Sequence, residues 1–292
     1  MKMLLIGQSV EDHILFDGLE KPVTPGGIFY SAAGLSSLKS EDDEIYLCTS
    51  IAEKNYHLFE WIYNDIDLSY STYVEKIPEI YLTVRTGYER DECYNHITDS
   101  LSVTYDNLNS FDGIYINMIT GFDISLETLK EIRKHFPGII YLDVHSLARG
   151  LNDKMERHFR TIPNFSEWAK SVTIIQVNEN ELLTLSENQN EKEIAKEILS
   201  YGAKILIVTY GERGAGIYFI KENELKYIFV SVDKVETLNQ VGCGDVFGSS
   251  YFYKYLKTKN YIEALRFAVK ASQCVASYGN IMQIRNLKID VS

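Results

Sequence analysis

Several patterns that mark specialised protein classes are missing from this chain. Its four cysteines lie far apart, without a Cys-x-x-Cys pair or the Cys/His spacing of a zinc site. No apolar run reaches the length of a membrane span, and the first one is too short for a secretion signal. The formal net charge of −12 argues against nucleic acid or an anionic membrane as a partner. We therefore expect a globular protein of the reducing cytoplasm.

Also missing is the Gly-x-Gly-x-x-Gly turn that dinucleotide-binding proteins carry after their first strand. The first predicted strand, residues 3–9, runs into I-G-Q-S-V-E-D, which lacks this motif and excludes a nicotinamide-dependent oxidoreductase. What is present is a regular alternation of elements. Buried-type strands at 44–50 and 139–145 alternate with helices such as 125–135, and this rhythm predicts an α/β fold.

The segment 71–105 departs from this alternation of strands and helices. Stretches 71–77, 80–89 and 93–100 alternate polar and apolar residues with no helix between them. This pattern is typical of antiparallel strands that expose one face to solvent. Inserted in a β-α-β chain, they predict a lid rather than a core layer. The segment's tyrosines could line a sugar, seal a dimer or only cover a half-buried sheet face. They are Tyr73, Tyr81, Tyr88 and Tyr94.

The stretch 239–247, N-Q-V-G-C-G-D-V-F, lies between an extended run and a predicted helix. A strand, a Gly-x-Gly turn and a helix start create an anion site, because backbone N–H groups and the helix dipole converge there. Gly242 and Gly244 leave room for a phosphate, and Asp245 could take a proton. This is the layout of a kinase for small hydroxylated substrates. The structural alternative is a capped helix behind a glycine-rich turn.

Polar residues also follow other predicted strands. Asp12 and His13 lie past the first strand and Asp143 ends a later one, at the edge where α/β sheets bind ligands. The structural alternatives are a turn or capping role for Asp12 and a half-buried edge position for His13. His145 and Arg149 follow Asp143, and we expect both in a solvated loop.

Three further patterns follow, and the first two each have a structural and a functional interpretation. Pro25-Gly26-Gly27 opens a helix, either as its entry turn or as backbone exposed to a ligand. Asn178-x-x-Glu181 fits a capping box, and the same side chains could hold water on a Mg²⁺ bound to phosphates. The T-x-G-x-x-G pattern of 209–214 is by itself typical of a hairpin.

In this order, the patterns resemble those of the ribokinase-like (PfkB) family of carbohydrate and nucleoside kinases, over nearly the whole chain. The family's Gly-Gly helix is similar to 25–38, its Asn-x-x-Glu to 178–181, its T-x-G-x-x-G to 209–214 and its D-x-T-G-A-G-D signature to 239–245. The resemblance implies one domain of residues 1–292. Its fold is expected to be a doubly wound, mostly parallel αβα sandwich with a small antiparallel β lid, mainly from 71–105.

The resemblance also implies a role for each matching residue. Asp245 is expected to be the base that deprotonates the substrate hydroxyl, and Glu181 is expected to serve Mg²⁺ through water. The backbone of Gly242, Cys243 and Gly244 is expected to form the anion hole for the transferred phosphoryl group. The expected nucleotide-binding residues are Thr209, Gly211, Gly214 and Asn178, and the expected substrate-binding residues are Asp12, Gly26, Gly27 and Ser31.

The chain departs from the family pattern at three positions. Asn239 replaces the signature's first Asp, Val241 replaces its Thr, and Ser31 replaces the Asn that commonly binds sugar. The base and the anion hole remain, so the expected chemistry is unchanged. The departures leave open which substrate the protein accepts. Many members are activated by K⁺, which the signature's Asp and Thr help to hold. Without that charge and hydroxyl, we expect only a weak dependence on a monovalent cation.

The expected function is therefore transfer of the γ-phosphoryl group of Mg·ATP to a hydroxyl of a sugar, sugar acid or nucleoside. The alternative is a catalytically weak relative that binds a sugar or nucleotide as a sensor or subunit. Asp245 and Glu181 together favour the enzyme, because a protein that only binds its ligand would not need a catalytic base or a residue that serves Mg²⁺. The expected partners are the small-molecule substrate and a second copy of the chain through the lid, with neither nucleic acid nor membrane.

Overall fold

The computed structural model describes residues 1–85, 91–232, 237–238 and 240–292. Its strands are β1 (Lys2–Ile6), β2 (Ser9–Phe16), β3 (Leu19–Glu20), β4 (Thr24–Gly27), β5 (Glu44–Cys48), β6 (Ser50–Ile51), β7 (Thr72–Tyr73), β8 (Glu79–Val84), β9 (Asp91–His96), β10 (Gly113–Asn117), β11 (Ile139–Asp143), β12 (Arg149–Leu151), β13 (Arg157–Phe159), β14 (Ile174–Asn178), β15 (Ile205–Thr209), β16 (Gly214–Lys221) and β17 (Glu224–Ser231). Its α-helices are α1 (Ile28–Leu38), α2 (Tyr56–Tyr63), α3 (Leu126–His135), α4 (Phe165–Ser171), α5 (Glu179–Leu182), α6 (Glu191–Ser200), α7 (Cys243–Thr258), α8 (Tyr261–Ala276) and α9 (Leu287–Asp290).

The central sheet has eight strands, in the order β17-β16-β15-β14-β11-β10-β1-β5. The six strands from β15 to β5 run parallel to one another. β16 and β17 extend the sheet as antiparallel strands at one edge. Parallel strands need crossover connections, and the helices between them supply these. All parallel strands therefore end at the same edge, where the polar residues Asn117, Asp143 and Asn178 lie.

Both faces of this sheet are covered, and β1 shows why. Its Met3 and Leu5 side chains join one apolar cluster, while Leu4 and Ile6 join a second cluster on the opposite face. The first cluster includes buried residues of α1, α2, α7 and α8, and the second includes those of α3, α4 and α6. The predicted αβα sandwich is thus confirmed. Within the described residues, no helix is both long and apolar enough to cross a bilayer.

A second, smaller sheet, the lid sheet, is built from two distant parts of the chain. Its strand order is β3-β2-β8-β9, with β4 paired to β2. The pairings are antiparallel except that of β2 with β8, which is parallel. Residues 9–27 therefore contribute as much to this sheet as the predicted segment does.

One strand predicted for the lid lies elsewhere. The stretch 71–77 contributes only β7, which pairs in parallel with β6 and not with the lid sheet. The prediction of an antiparallel lid strand there is wrong, because alternation of polar and apolar residues reports a half-exposed strand but not its partner. β8 and β9 form the predicted antiparallel pair, and Tyr88 lies outside the described residues.

Helix α7 packs closely on the central sheet. A Cβ atom on Gly248 would lie 2.5 Å from the Tyr115 hydroxyl of β10, and one on Gly34 of α1 would lie 3.0 Å from Ser249 Oγ. Because these glycines remove side chains from the contacts, the helix lies directly over β10 and β11. This packing brings the N-terminus of α7 to the edge at which the parallel strands end.

Candidate functional site

The first turn of α7 is the centre of the candidate site. Gly242 precedes the helix with a φ of 80°, a left-handed conformation that favours glycine. A Cβ atom on Gly242 would also meet Tyr30 Cδ1 at 2.2 Å, so a larger residue would displace that ring. Cys243, Gly244 and Asp245 then form the first turn, at the positive end of the helix dipole. The helix predicted from Phe247 onward is observed, but it begins four residues earlier, at Cys243, so the Gly-x-Gly turn includes its cap and first turn.

The carboxylate of Asp245 is held from the sheet below it. Asn117, the last residue of β10, donates a hydrogen bond from Nδ2 to Asp245 Oδ1 at 2.7 Å. On the other side, Ser31 of α1 donates from Oγ to the Asp245 backbone carbonyl at 3.4 Å. A strand and a neighbouring helix thus orient the acidic residue that the sequence singled out.

A buried polar network continues beneath this turn. Gln176 Nε2 donates to Asp143 Oδ2 at 3.0 Å and to the Gly244 carbonyl at 3.1 Å. Burial raises the pKa of Asp143 well above its ordinary value, and the nearby carboxylates of Glu181 and Asp245 add to the shift. The network ties β11 and β14 to the start of α7.

The same turn separates two cavities. The lid-side cavity, of about 40 Å³, is lined by Gly242 and Asp245 together with residues of the lid sheet. The α8-side cavity, of about 610 Å³, is lined by Cys243 and Gly244 together with residues of β15, β16 and α8. A Cβ atom on Gly244 would meet no other atom within 4 Å, so the backbone is open at this position. One helical turn therefore faces both spaces.

The predicted substrate-binding residues lie at the lid-side cavity or behind it. Asp12, which is 4% exposed, and Gly27 line the cavity. A Cβ atom on Gly26 would lie 2.1 Å from Asp12 Oδ2, so this glycine lets β4 pass close to the carboxylate. Ser31 is fully buried, with its Oγ 3.4 Å from the Tyr115 hydroxyl.

His13 lies away from this cavity. Its Nε2 is 2.9 Å from Glu11 Oε1, and its ring stacks on Tyr81 with the centroids 4.5 Å apart. The side chain is 26% exposed. The half-burial given in the alternative is therefore observed, but the edge position is not, because β2 lies between β8 on one side and β3 and β4 on the other.

The solvated loop predicted for His145 and Arg149 is wrong. His145 is half-buried and lines the lid-side cavity. Arg149 is 8% exposed and forms an ion pair with Glu92 at 2.8 Å. Glu92 belongs to β9, 57 positions earlier in the chain. A buried arginine needs such a partner, and the sequence near Arg149 does not reveal one that comes from the lid.

The α8-side cavity collects the other predicted residues. Asn178, Thr209, Gly211 and Gly214 line it. The capping box is confirmed, since Asn178 Oδ1 accepts from the Glu181 N–H at 2.8 Å and Glu181 Oε2 accepts from the Asn178 N–H at 2.9 Å. Glu181 is 5% exposed, at the edge of the same strands.

Three residues of the site were not found from the sequence: Tyr30, Asn117 and Gln176. Asn117 is the last residue of the buried strand β10, and Asp143 is the last residue of β11. A polar residue at the end of a buried strand pointed to Asp143 in the sequence, and the same pattern could have pointed to Asn117. Tyr30 and Gln176 carry no comparable local signal. Of the two departures within the signature, Val241 lines the lid-side cavity, and Asn239 lies outside the described residues.

Comparison with known proteins identifies the family. The profile of the pfkB family of carbohydrate kinases matches residues 53–284. The chain belongs to this family. A 5-dehydro-2-deoxygluconokinase from Clostridium botulinum is 30% identical over 99 residues, a match that covers 34% of this chain and 28% of that relative. The chain thus matches less than a third of the length of that relative.

Solved structures agree with the fold over almost the full length. A pyrophosphate-dependent kinase of the ribokinase family, in complex with sulfate, superposes with a TM-score of 0.82 at 14% identity and covers 99% of both chains. Ribokinase from Arabidopsis thaliana, complexed with ribose and ATP, gives a TM-score of 0.74 at 17% identity, over 99% of this chain and 97% of its own. The ribokinase-like fold is therefore shown.

Proposed function

We propose that this protein transfers the γ-phosphoryl group of Mg·ATP to a hydroxyl of a small sugar, sugar acid or nucleoside. The observation that carries the proposal is the position of the α7 N-terminus between the two cavities. Gly244 faces the α8-side cavity and Asp245 faces the lid-side cavity. A phosphoryl group on one side and a hydroxyl on the other would meet at a single helical turn, and such positioning supplies most of the catalysis in phosphoryl transfer.

In this proposal the α8-side cavity takes the nucleotide. Its volume of about 610 Å³ lies within the range of small-molecule sites. Apolar side chains of Val232, Val269 and Ala276 line part of it, which suits a base, while Thr209 and Gly244 lie at the part toward the sheet, which suits phosphates. The apolar lining favours a nucleotide over pyrophosphate as the donor.

The residues also fit a divalent cation bound together with phosphates. Within the described residues no group of three side chains could hold a metal alone. Burial raises the pKa of Asp143, and the nearby carboxylates of Glu181 and Asp245 add to the shift; a cation beside these three carboxyl groups would oppose their mutual repulsion. Glu181, with Asn178, would hold Mg²⁺ through water, and the cation would neutralise charge on the donor phosphates.

The chain's own groups would then carry the transfer. Asp245 accepts the proton of the acceptor hydroxyl as the hydroxyl oxygen bonds to the γ-phosphorus, while the bond from that phosphorus to the bridging oxygen breaks and ADP leaves. The backbone N–H groups of 242–244 and the helix dipole stabilise the charge on the transferred group. Asp12, a buried residue in the lining of the lid-side cavity, holds a second hydroxyl of the acceptor. Cys243 stays a thiol, because burial and the charge of Asp245 raise its pKa to about 12.

The proposal is tested by an ADP-release assay with Mg·ATP and a panel of sugars, sugar acids and nucleosides. Pyrophosphate replaces ATP in a second series, because one of the similar structures is a pyrophosphate-dependent kinase. Acceptor-dependent ADP release is the expected result. A chain that binds Mg·ATP but leaves every acceptor in the panel unphosphorylated would favour the sensor or subunit alternative.

The lid sheet is proposed to open for the acceptor and close over it. The lid-side cavity of about 40 Å³ is far smaller than an ordinary small-molecule site, so we expect its walls to move apart when a sugar binds. Ile80, Leu82 and Tyr94 supply the lid side of that wall. We expect amide hydrogen exchange in β8 and β9 to slow when acceptor and a non-hydrolysable ATP analogue saturate the protein. Peptides from α3, on the other face of the sheet, serve as the control. Unchanged exchange in β8 and β9 would count against a lid.

A homodimer through this sheet remains a prediction. Phe16, Leu19 and Tyr81 of its strands are 40%, 66% and 45% exposed, which leaves apolar surface for a second copy to cover. Sedimentation velocity would show whether the chain is a dimer.

Activity is expected to differ little between K⁺ and Na⁺ at equal ionic strength. The carboxylate and hydroxyl that help to hold K⁺ in the family are replaced by Asn239 and Val241. A desolvated cation gains far less from a neutral amide than from a carboxylate. The measurement is the initial rate against K⁺ concentration, with choline chloride keeping the ionic strength constant. Asn239→Asp is the matched variant and should gain K⁺ dependence. A several-fold saturable rise with K⁺ in the natural sequence would show this expectation to be wrong.

A further inference from the structure

Asn117 forms a hydrogen bond with the Asp245 side chain. It ends β10, is 0% exposed and donates from Nδ2 to Asp245 Oδ1 at 2.7 Å. Its other side-chain atom, Oδ1, is buried without a hydrogen-bond partner in the described part of the chain. The reversed amide would turn an oxygen toward the carboxylate and cause repulsion, so the carboxylate itself fixes which way the amide points.

We infer that Asn117 is a positioning residue for Asp245. The inference rests on the proposed role of Asp245 as the base. The hydrogen bond to Oδ1 restricts rotation of the carboxylate about χ2 and so fixes the direction in which the base meets the acceptor hydroxyl. Donation to the ionised carboxylate also favours its charged form, which is the form that can act as a base.

The geometry at Asn117 makes an amide the suitable group. Its Nδ2 also lies 3.4 Å from Ser31 Oγ, the side chain that contacts the Asp245 carbonyl. A serine at 117 would be too short to reach Asp245. An aspartate at 117 would place two carboxylates at hydrogen-bond distance, where they would share one proton.

Other titratable groups surround Asp245, and any titration must separate them from the effect of Asn117. They come from β2, β9, β10, β11, the turn after β11 and α7 itself. They are Asp12, Glu92, Tyr94, Tyr115, Asp143, His145 and Cys243, and α1 adds Tyr30. A substitution at 117 leaves all of them in place, so a change in the midpoint of Asp245 reports the lost hydrogen bond.

The test is a ¹³C carboxyl NMR titration of Asp245, assigned by its absence in Asp245→Asn. In Asn117→Leu the midpoint should rise by roughly one pH unit, because the ionised form loses its donor. In Asn117→Asp it should rise further, through like-charge repulsion. Asn55→Leu is the matched control, since Asn55 is a buried amide that donates to Glu11 and should leave the Asp245 midpoint unchanged. Asn117→Ser replaces Asn117→Leu if the latter does not fold.

Kinetics supply the second readout. In Asn117→Leu, kcat should fall by roughly 10- to 100-fold with little change in KM for the nucleotide. In a plot of kcat against pH, the acidic limb should move to higher pH. A merely structural role would lower the melting temperature and leave that limb in place. An unchanged Asp245 midpoint overturns the inference even if the natural sequence is an active kinase. A shifted midpoint without turnover in the natural sequence would instead count against the proposed function.

Discussion

Asp245→Asn is expected to fold and to bind nucleotide like the natural sequence, while phosphoryl transfer falls by about 10²- to 10⁴-fold. The side-chain amide of the variant keeps an oxygen that can accept from Asn117, so the first turn of α7 keeps its shape. What is lost is the group that accepts the proton of the attacking hydroxyl. The measurement is kcat for the best acceptor of the panel, with nucleotide affinity from calorimetry.

Asp65→Asn is the matched control, because Asp65 is exposed and lies after α2, away from both cavities. It should leave kcat, nucleotide affinity and stability unchanged. If Asp245→Asn turned over at nearly the natural rate, the assignment of Asp245 as the base would be wrong.

Gly244→Ala is expected to leave the fold intact and to lower kcat/KM for the nucleotide by about 10²-fold. The new methyl group meets no protein atom within 4 Å, and alanine favours a helix by about 1 kcal/mol over glycine. Stability should therefore stay equal or rise. The methyl group, however, projects into the open space where the proposed phosphoryl group approaches the backbone.

Gly242→Ala is the contrasting variant. Its Cβ would lie 2.2 Å from Tyr30 Cδ1 in a backbone with a φ of 80°, so we expect a loss of about 2 kcal/mol or more in the free energy of unfolding. Urea unfolding separates the two variants. A Gly244→Ala protein with unchanged nucleotide kinetics would show that the phosphoryl group does not approach this backbone.

The sequence predicts the central sheet well because its signals are local. β1, β10, β11 and β14 are short apolar runs, and each ends in or near a polar residue at the ligand edge. The start of α7 was predicted only in part. The sequence pattern indicates a helix from Phe247, whereas the helix begins at Cys243 after the left-handed Gly242, and Asp245 lies in its first turn.

What could not be predicted depends on contacts between distant segments. The lid sheet joins β2 to β8 across more than sixty positions, and alternation in 71–105 does not encode that pairing. Arg149 is buried because Glu92 of the lid sheet pairs with it, and neither residue signals the other. Asn117 was within reach of the reasoning applied to Asp143, but its contact with Asp245 depends on how α7 crosses β10.

The most direct test is a crystal structure with Mg²⁺, a non-hydrolysable ATP analogue and an accepted substrate. We predict that the adenine ring lies near Val269 and Ala276 and that the terminal phosphoryl group lies against the backbone of Gly244. The accepting hydroxyl should lie within about 3 Å of a carboxylate oxygen of Asp245. A triphosphate bound outside the α8-side cavity, or a hydroxyl directed away from Asp245, would contradict transfer across the first turn of α7.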